Sequence, residues 1–260
     1  MAASFDRVAA CYDATRAIPA AAEADIAAGI ARAVGATPQT RLLEIGSGTG
    51  RIALPLVRHG LRCIGIDRSA PMLYAARRKA LDSAAQLLLA QADATALPFA
   101  TASVDVALVV HVFHLIPDWP RALDEALRVL RPGGYLIYGS ERNGAGSEER
   151  PLNEHWRALL AARGVAPRNH RSTDEAVMAA LRERGLDPTL ETVAAWTGAT
   201  TVGQTLARHA SRDYSASWGI PDPLFAEANA ALATWAATTY PALGQVLLTR
   251  SEFALTIARS

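Results

Sequence analysis

The chain has 260 residues, half of them apolar, and its 26 basic and 25 acidic side chains leave a formal charge of +1. That balance excludes a global field for attracting nucleic acid or an acidic membrane, and two cysteines, Cys11 and Cys63, exclude a disulfide framework. No leader pattern, no run of about 18 uninterrupted apolar residues and no Cys/His cluster with metal-ligand spacing occurs, so a soluble, unprocessed, cytoplasmic protein with neither membrane insertion nor a metal centre is expected.

Residues 1 to 19 carry Phe5-Asp6, Cys11-Tyr12-Asp13 and Arg16 ahead of Pro19. They are too short and mixed to form a core of their own and are expected to dock on the rest. Ile26, Ile30 and Val34, four apart, predict an amphipathic helix over 20–34 stopped at Gly35. A first strand is expected over 41–45, and glycines follow on alternate positions at Gly46, Gly48 and Gly50. The next helix is predicted over 49–59, with Pro55 as an internal irregularity that bends it. Residues 61–66 read as a buried parallel strand closed by Asp67, after which Ser69 caps a helix with Pro71 in its first turn. A third strand is expected over 87–90, followed by the loop Gln91-Ala92-Asp93-Ala94. The near-continuous apolar run 104–110, broken by Asp105, predicts a central strand that delivers His111 and His114 at its end. A helix over 118–130 and the turn Arg131-Pro132-Gly133-Gly134 then lead to a strand over 135–139.

Residues 141–151 read as a loop. Helices are predicted over 152–163 and 173–184, the second capped by Ser172 or Thr173, and strands over 189–196 and 252–258. Between those strands lie helical patterns at 202–208 and 224–238, far more than the dozen or so residues that a crossover needs. The surplus predicts an inserted substrate cap, where Trp156, Trp196, Tyr214 and Trp218 are candidates for lining an apolar acceptor pocket. Arg77, Arg78 and Lys79 read as a solvated helix face. The alternation of strands and helices predicts a doubly wound, mostly parallel α/β sheet. Residues 1–145 would form a lid segment and ligand-binding core, and 146–260 the remaining core elements with the cap, all in one compact unit.

The glycine turn calls for a ligand, and spacing selects its class. The third glycine of a dinucleotide fingerprint would fall at Arg51, and the lysine of a phosphate-binding P-loop is missing. What remains is Glu44-x-Gly46-x-Gly48-x-Gly50, with Asp67 17 residues after Gly50. This resembles motif I of the class I S-adenosylmethionine (SAM)-dependent methyltransferases. Asp67, Asp93 and the sequence Arg-Pro-Gly-Gly-Tyr-Leu follow in the order of that family. The N-terminal Phe-Asp-x-x-Ala-x-x-Tyr-Asp-x-x-x-Arg is similar to its small-molecule members, the branch akin to ubiquinone and menaquinone biosynthesis. The resemblance spans roughly residues 5 to 140 and is only general beyond.

The resemblance implies a seven-stranded Rossmann-like sheet whose last strand lies antiparallel beside the fifth. It implies SAM as cofactor and S-adenosylhomocysteine as its product, with Glu44, Gly46, Gly48 and Gly50 at the turn, Asp67 on the ribose and Met72 against adenine. Asp93 and the N–H of Ala94 would read the adenine edge, and Tyr12 and Arg16 would lie near the methionine end. Ser47, Thr49, Arg68, Val110 and His111 complete the implied cofactor set.

Methyl transfer from a sulfonium is an in-line displacement, for which orientation alone supplies on the order of 7 to 11 kcal/mol, so a conspicuous catalytic side chain is not required. Where a proton must leave the acceptor, a histidine suits the work near neutral pH. His114, facing the acceptor, and His111, nearer the cofactor, are the candidates, and each reads equally as a hydrogen-bonded structural residue. The expected reaction is methylation of a small molecule by a monomer or homodimer. An RNA-modifying methyltransferase and a non-catalytic nucleotide-binding protein are the alternatives; Arg51 disfavours a nicotinamide oxidoreductase.

Overall fold

The computed structural model describes residues 5–83, 86–165 and 174–260; the candidate caps Ser172 and Thr173 lie outside them. Seven strands form one sheet: β1 (Arg41–Ile45), β2 (Arg62–Asp67), β3 (Leu88–Gln91), β4 (Val104–Val110), β5 (Leu130–Asn143), β6 (Thr189–Thr201) and β7 (Val246–Arg259). Their order is β3-β2-β1-β4-β5-β7-β6. The pairs β1–β2, β2–β3, β1–β4 and β4–β5 are parallel. Gly133 donates its N–H to the carbonyl of Ser260 at 2.9 Å and the N–H of Ser260 returns to Gly134 at 2.8 Å, while Gly144 donates to the carbonyl of Arg250 at 2.8 Å, so the two strands run in opposite directions. The last strand is therefore antiparallel beside β5, as expected.

Strand order reverses between β1 and β4, where Leu42 pairs with Val106 and Ile45 with Val109. Open α/β sheets bind ligands beyond the carboxyl ends of the strands at such a reversal. Every residue of β4 is buried, which accounts for its unbroken apolar run. Asp105 is tolerated there because Arg41 donates its backbone N–H to Oδ2 at 2.7 Å and pairs through Nη2 with Oδ1 at 2.8 Å, while Arg131 approaches at 3.1 Å. The hydrogen bond from Arg41 holds that carboxyl below the usual carboxylate range.

The helices are α1 (Tyr12–Thr15), α2 (Ala20–Ala33), α3 (Ala53–Arg58), α4 (Ala70–Asp82), α5 (Trp119–Val129), α6 (Arg150–Ala162), α7 (Asp174–Glu183), α8 (Val202–Ala210) and α9 (Asp222–Thr239). The Ser69 hydroxyl caps α4 by accepting from the N–H of Met72. Two expectations are corrected. Residues 49–52 form turns, and α3 opens at Ala53, so Pro55 is its third residue. First-turn N–H groups have no intrahelical acceptor, hence the proline removes no intrahelical bond. The Pro-Gly-Gly segment does not separate helix from strand: β5 already starts at Leu130 and absorbs it through a register shift between Val104 and Val106 of its partner, with Gly133 at φ +77°.

The chain falls into two compact units. One comprises the described residues within Met1–Glu141, Arg171–Ala194 and Phe253–Ser260, the other those within Arg142–His170 and Ala195–Glu252. The core of the first unit lies on the β4 side of the sheet, where Phe113 stacks on Tyr138 at 5.7 Å and Leu123, Ala126 and Val129 of α5 are fully buried. In the second unit Leu152 and Trp156 of α6 pack with Phe225, Ala228 and Leu232 of α9. There Glu149, itself buried, pairs with Arg208, and His209 bonds Asn153 at 2.9 Å.

Candidate active site

The turn after β1 is built by backbone. The N–H groups of Gly46 and Ser47 both donate to the carbonyl of Ile66, at 2.7 and 2.8 Å, which ties the turn to the end of β2. Gly46 holds φ +76°, and a Cβ there would lie 2.1 Å from Cγ2 of Val112. No side chain fits such a gap. The alternate glycines thus let the segment that follows β4 press directly on the turn.

Asp67 closes the arrangement from β2. Its Oδ2 accepts the N–H of Gly48 at 2.8 Å and its Oδ1 that of Ser69 at 2.8 Å. Burial raises its pKa, and those backbone donors, together with that of Arg68, pull it back. A carboxylate offers about four lone-pair sites, so room for a further donor is left. Beneath the turn the Glu44 carboxyl is buried, with Oε2 lacking a partner, and burial pushes its pKa up to about 8. It is therefore a neutral structural acid at pH 7, receiving the N–H of Ala53.

The N-terminal segment is fastened over this turn. The Thr49 hydroxyl donates to Oδ1 of Asp13 at 2.6 Å, and Lys79 of α4 meets Oδ2 at 2.8 Å. Lys79 is thus no solvated face residue, whereas Arg77 and Arg78 are exposed. The Ser69 hydroxyl reaches Asp6, and Nη1 of Arg51 donates to the carbonyl of Arg16 at 2.7 Å. The guanidinium of Arg16 lies 4.4 Å over the ring of Tyr12. A cavity of about 230 Å³ opens between Asp13, Arg16, Gly50, Arg51, Leu54 and Lys79, flanked by Glu23 and Arg58. It touches the turn at Gly50 and does not extend to Asp67 or the histidines.

Beyond β4 the chain turns sharply at His111, φ +53°. The ring is half-buried, and its Nε2 accepts the N–H of Glu141 at 3.0 Å. Burial, then the neighbouring Arg51, His114 and Arg16, depress its pKa to about 3. His114, also half-buried, lies in the short 3-10 helix Phe113–Leu115. Arg51 faces Glu141 at 3.6 Å.

The remaining candidates separate. Val110 is buried at the end of β4, Met72 is buried in α4, and Ala94 is half-buried. Asp93 is exposed and its Oδ1 holds the N–H and hydroxyl of Thr95 at 2.8 and 2.7 Å, which keeps its pKa low. Arg68 is exposed, and its carbonyl takes the side-chain amide of Gln91. Asp13, Arg51 and Glu141 were not singled out as site residues from sequence. Asp13 stands in the quoted Tyr-Asp pair and Arg51 directly after the third glycine, but nothing local signals Glu141.

A family profile described as a methyltransferase domain matches residues 43–138, the segment that contains the turn, Asp67, Asp93 and both histidines. Residues 43–138 are thus similar to a methyltransferase domain. The chain is also similar to curated relatives over 99 to 145 residues. One is the demethylmenaquinone methyltransferase of Thermus thermophilus, 39% identical over 99 residues, or 37% of this chain and 45% of the relative. Another is the demethylmenaquinone methyltransferase of Renibacterium salmoninarum, 35% identical over 145 residues, 53% of this chain and 56% of the relative. The chain spans about half the length of these relatives. Among solved structures, YcgJ of Bacillus subtilis superposes with a TM-score of 0.61 at 20% identity, covering 90% of this chain and 97% of that one, which shows the fold alone. Among the described residues, no helix is long and apolar enough to cross a membrane.

Proposed function

We propose that this chain binds SAM at the β1–β4 reversal and transfers its methyl group to a small-molecule acceptor. The observation that carries the reading is the Asp67 carboxylate, fixed by the N–H groups of Gly48 and Ser69 beside the glycine turn. Its remaining lone-pair capacity suits a ribose hydroxyl, and the φ +76° of Gly46 and φ +54° of Gly48 leave backbone in place of side chains where a ligand approaches. When bound, SAM supplies an electrophilic methyl group on a sulfonium.

The chain's own residues do the rest. Asp67 orients the nucleoside, the Asp13–Thr49 and Asp13–Lys79 bonds hold the N-terminal segment over the turn, and that cover excludes water. Tyr12, Arg16, Ser47, Thr49, Gly50, Met72, Asp93 and Ala94 are assigned to the cofactor side on the same reading. Arg68 and Val110 join them, although the exposure of Arg68 and the burial of Met72 give each a limited contact. His114 is the residue assigned to take a proton from an acceptor hydroxyl or amine. His111 is assigned to orientation, because its Nε2 already accepts the Glu141 N–H. The inserted helical region, about 200–240, is assigned to acceptor choice. The names of the curated relatives support a small-molecule acceptor over RNA.

Calorimetry with SAM, S-adenosylhomocysteine and NAD, followed by S-adenosylhomocysteine release across a metabolite panel, tests the reading. Binding of the first two without NAD is expected. Asp67→Ala should weaken that binding by on the order of 10- to 100-fold, the worth of hydrogen bonds to a charged group. A response to NAD and none to SAM would refute it, and turnover confined to RNA would reassign the acceptor.

A further inference from the structure

The 22 residues from 228 to 249 contain no charged side chain, the longest such run in the chain. They cover the second half of α9, the turn after it and the start of β7. Within the helix Ala228, Leu232 and Ala236 are buried, the pattern of a helix packed on one face. Beyond Tyr240 the pattern inverts. Leu243, Val246 and Leu248 are 55%, 58% and 53% exposed, while Leu247 between the last two is buried. Side chains alternate along a strand, so one with a single face on the core should turn polar residues outward at 246 and 248. It turns valine and leucine. The backbone holds them there: Val202 and Gly203 donate N–H groups to the carbonyls of Gln245 and Leu243 at 3.1 and 2.8 Å. Leu248 donates to Oε2 of Glu148 at 2.7 Å, and its carbonyl accepts the Glu148 N–H at 2.8 Å.

We propose that the turn from Tyr240 to Leu248 is a docking surface for a lipid bilayer, with the side chains of Leu243 and Val246 entering the acyl layer. The inference goes beyond the methyl-transfer reading and does not depend on it. Area selects a bilayer over a protein. A stable protein interface takes about 800 Å² from each partner, and three aliphatic side chains little more than half exposed supply a fraction of that. A fluid layer needs no matching surface and accepts a small apolar tip. Charge agrees, since acyl chains exclude ions and this run brings none. The carbonyls of Ala242, Leu243 and Gln245 already have N–H partners, so immersion strands none of the three. Trp235 and Tyr240, half-buried and edge to face at 5.9 Å, are rings whose polar atoms suit the headgroup level. Glu148, bonded to Leu248, and Arg250, two positions further along β7, are exposed and charged, and they limit the depth. The contact is therefore peripheral.

The test is cosedimentation of the wild-type chain with phosphatidylcholine vesicles, repeated with Leu243→Glu, Val246→Glu and the double variant. Binding is expected at about millimolar lipid, weaker than that of a single myristoyl chain. Each substitution should weaken it on the order of 10-fold, and the pair on the order of 100-fold. Salt at about 0.5 M should leave it unchanged, because no ion pair carries it. Thermal melts and S-adenosylhomocysteine titrations of the variants should match the wild type. Where a glutamate variant fails to fold, Leu243→Ser and Val246→Ser carry the same comparison. A wild-type chain that stays in the supernatant overturns the proposal and leaves the methyl-donor reading intact. Binding confined to phosphatidylglycerol vesicles, lost in salt and indifferent to the substitutions, overturns it as well. So does a dimer, seen by light scattering, that the substitutions dissolve in the absence of any vesicle binding; a second copy of the chain then covers the turn.

Discussion

Nε2 of His111 accepts the backbone N–H of Glu141 at 3.0 Å, which joins the carboxyl end of β4 to that of β5 and puts the ring proton on Nδ1. With a pKa depressed to about 3, the ring is neutral near pH 7. Because the folded value lies below the ordinary 6.5, the folded state binds fewer protons, and acidification from about pH 6.5 toward 3 removes stability. His111→Gln should flatten that part of the stability profile. Urea titrations at pH 4, 5.5 and 7 check it, and wild type and variant losing stability in parallel would contradict the assignment.

For His114 the expected outcome is kinetic. Acting as general base, it should give a kcat that falls by about 10²- to 10⁴-fold in His114→Ala with SAM affinity retained, and a wild-type rate that declines as pH drops through the imidazole pKa. An unaltered kcat with a flat profile between pH 5 and 9 would leave positioning as the whole mechanism.

Glu44 works in the opposite sense from His111. Its folded pKa is raised from 4.5 to about 8, so its contribution is fully present below pH 4.5 and is lost as pH rises through 8. The shift corresponds to on the order of 3 to 5 kcal/mol between those limits. Glu44→Gln keeps an acceptor for the Ala53 N–H and cannot ionise. Its unfolding free energy should exceed that of the wild type at pH 9 and match it at pH 5. Curves that do not diverge with pH would show that the carboxyl is charged where it lies.

Gly46 and Val112 offer a test of the turn itself. Gly46→Ala places a methyl 2.1 Å from Cγ2 of Val112 and forces alanine to φ +76°. A left-handed alanine alone costs about 1 to 2 kcal/mol, and the clash adds to it. The double variant with Val112→Ala should recover the steric part and retain the backbone part. Calorimetric melts of the three variants measure both; full recovery would mean that the glycine is needed for space only.

Local patterns made the frame readable from the sequence. The apolar run 104–110 coincides with β4 because a strand buried on both faces has no alternation to obscure its ends. Ser69 and Pro71 marked the start of α4 because capping is a property of adjacent residues. The resemblance located the turn and Asp67. What escaped notice depends on partners far along the chain. Lys79 looks like a surface cation until Asp13, 66 positions earlier, is brought against it. Glu141 looks like the first residue of a loop, since neither its bond to His111 nor its pairing with Arg51 leaves a trace in neighbouring residues. The strand β5 was expected to be short because Pro-Gly-Gly usually interrupts pairing, and a register shift is invisible without the partner strand.

The register that pairs Leu42 of β1 with Val106 of β4 also sets an order of events in folding. Joining β1 to β2 closes a loop of modest length, as the pairing of Arg41 with Arg62 shows, whereas β1 meets β4 across about three times that span. Loop-closure entropy therefore favours β1–β2 pairing ahead of β1–β4 pairing. During synthesis β1 cannot complete this pairing until residues 104–110 have left the ribosome, and until then its β4-side edge is unpaired. On this order the β1–β4 seam closes after β1–β2, and the β5–β7 seam, which brings Ser260 to Gly133, closes later still.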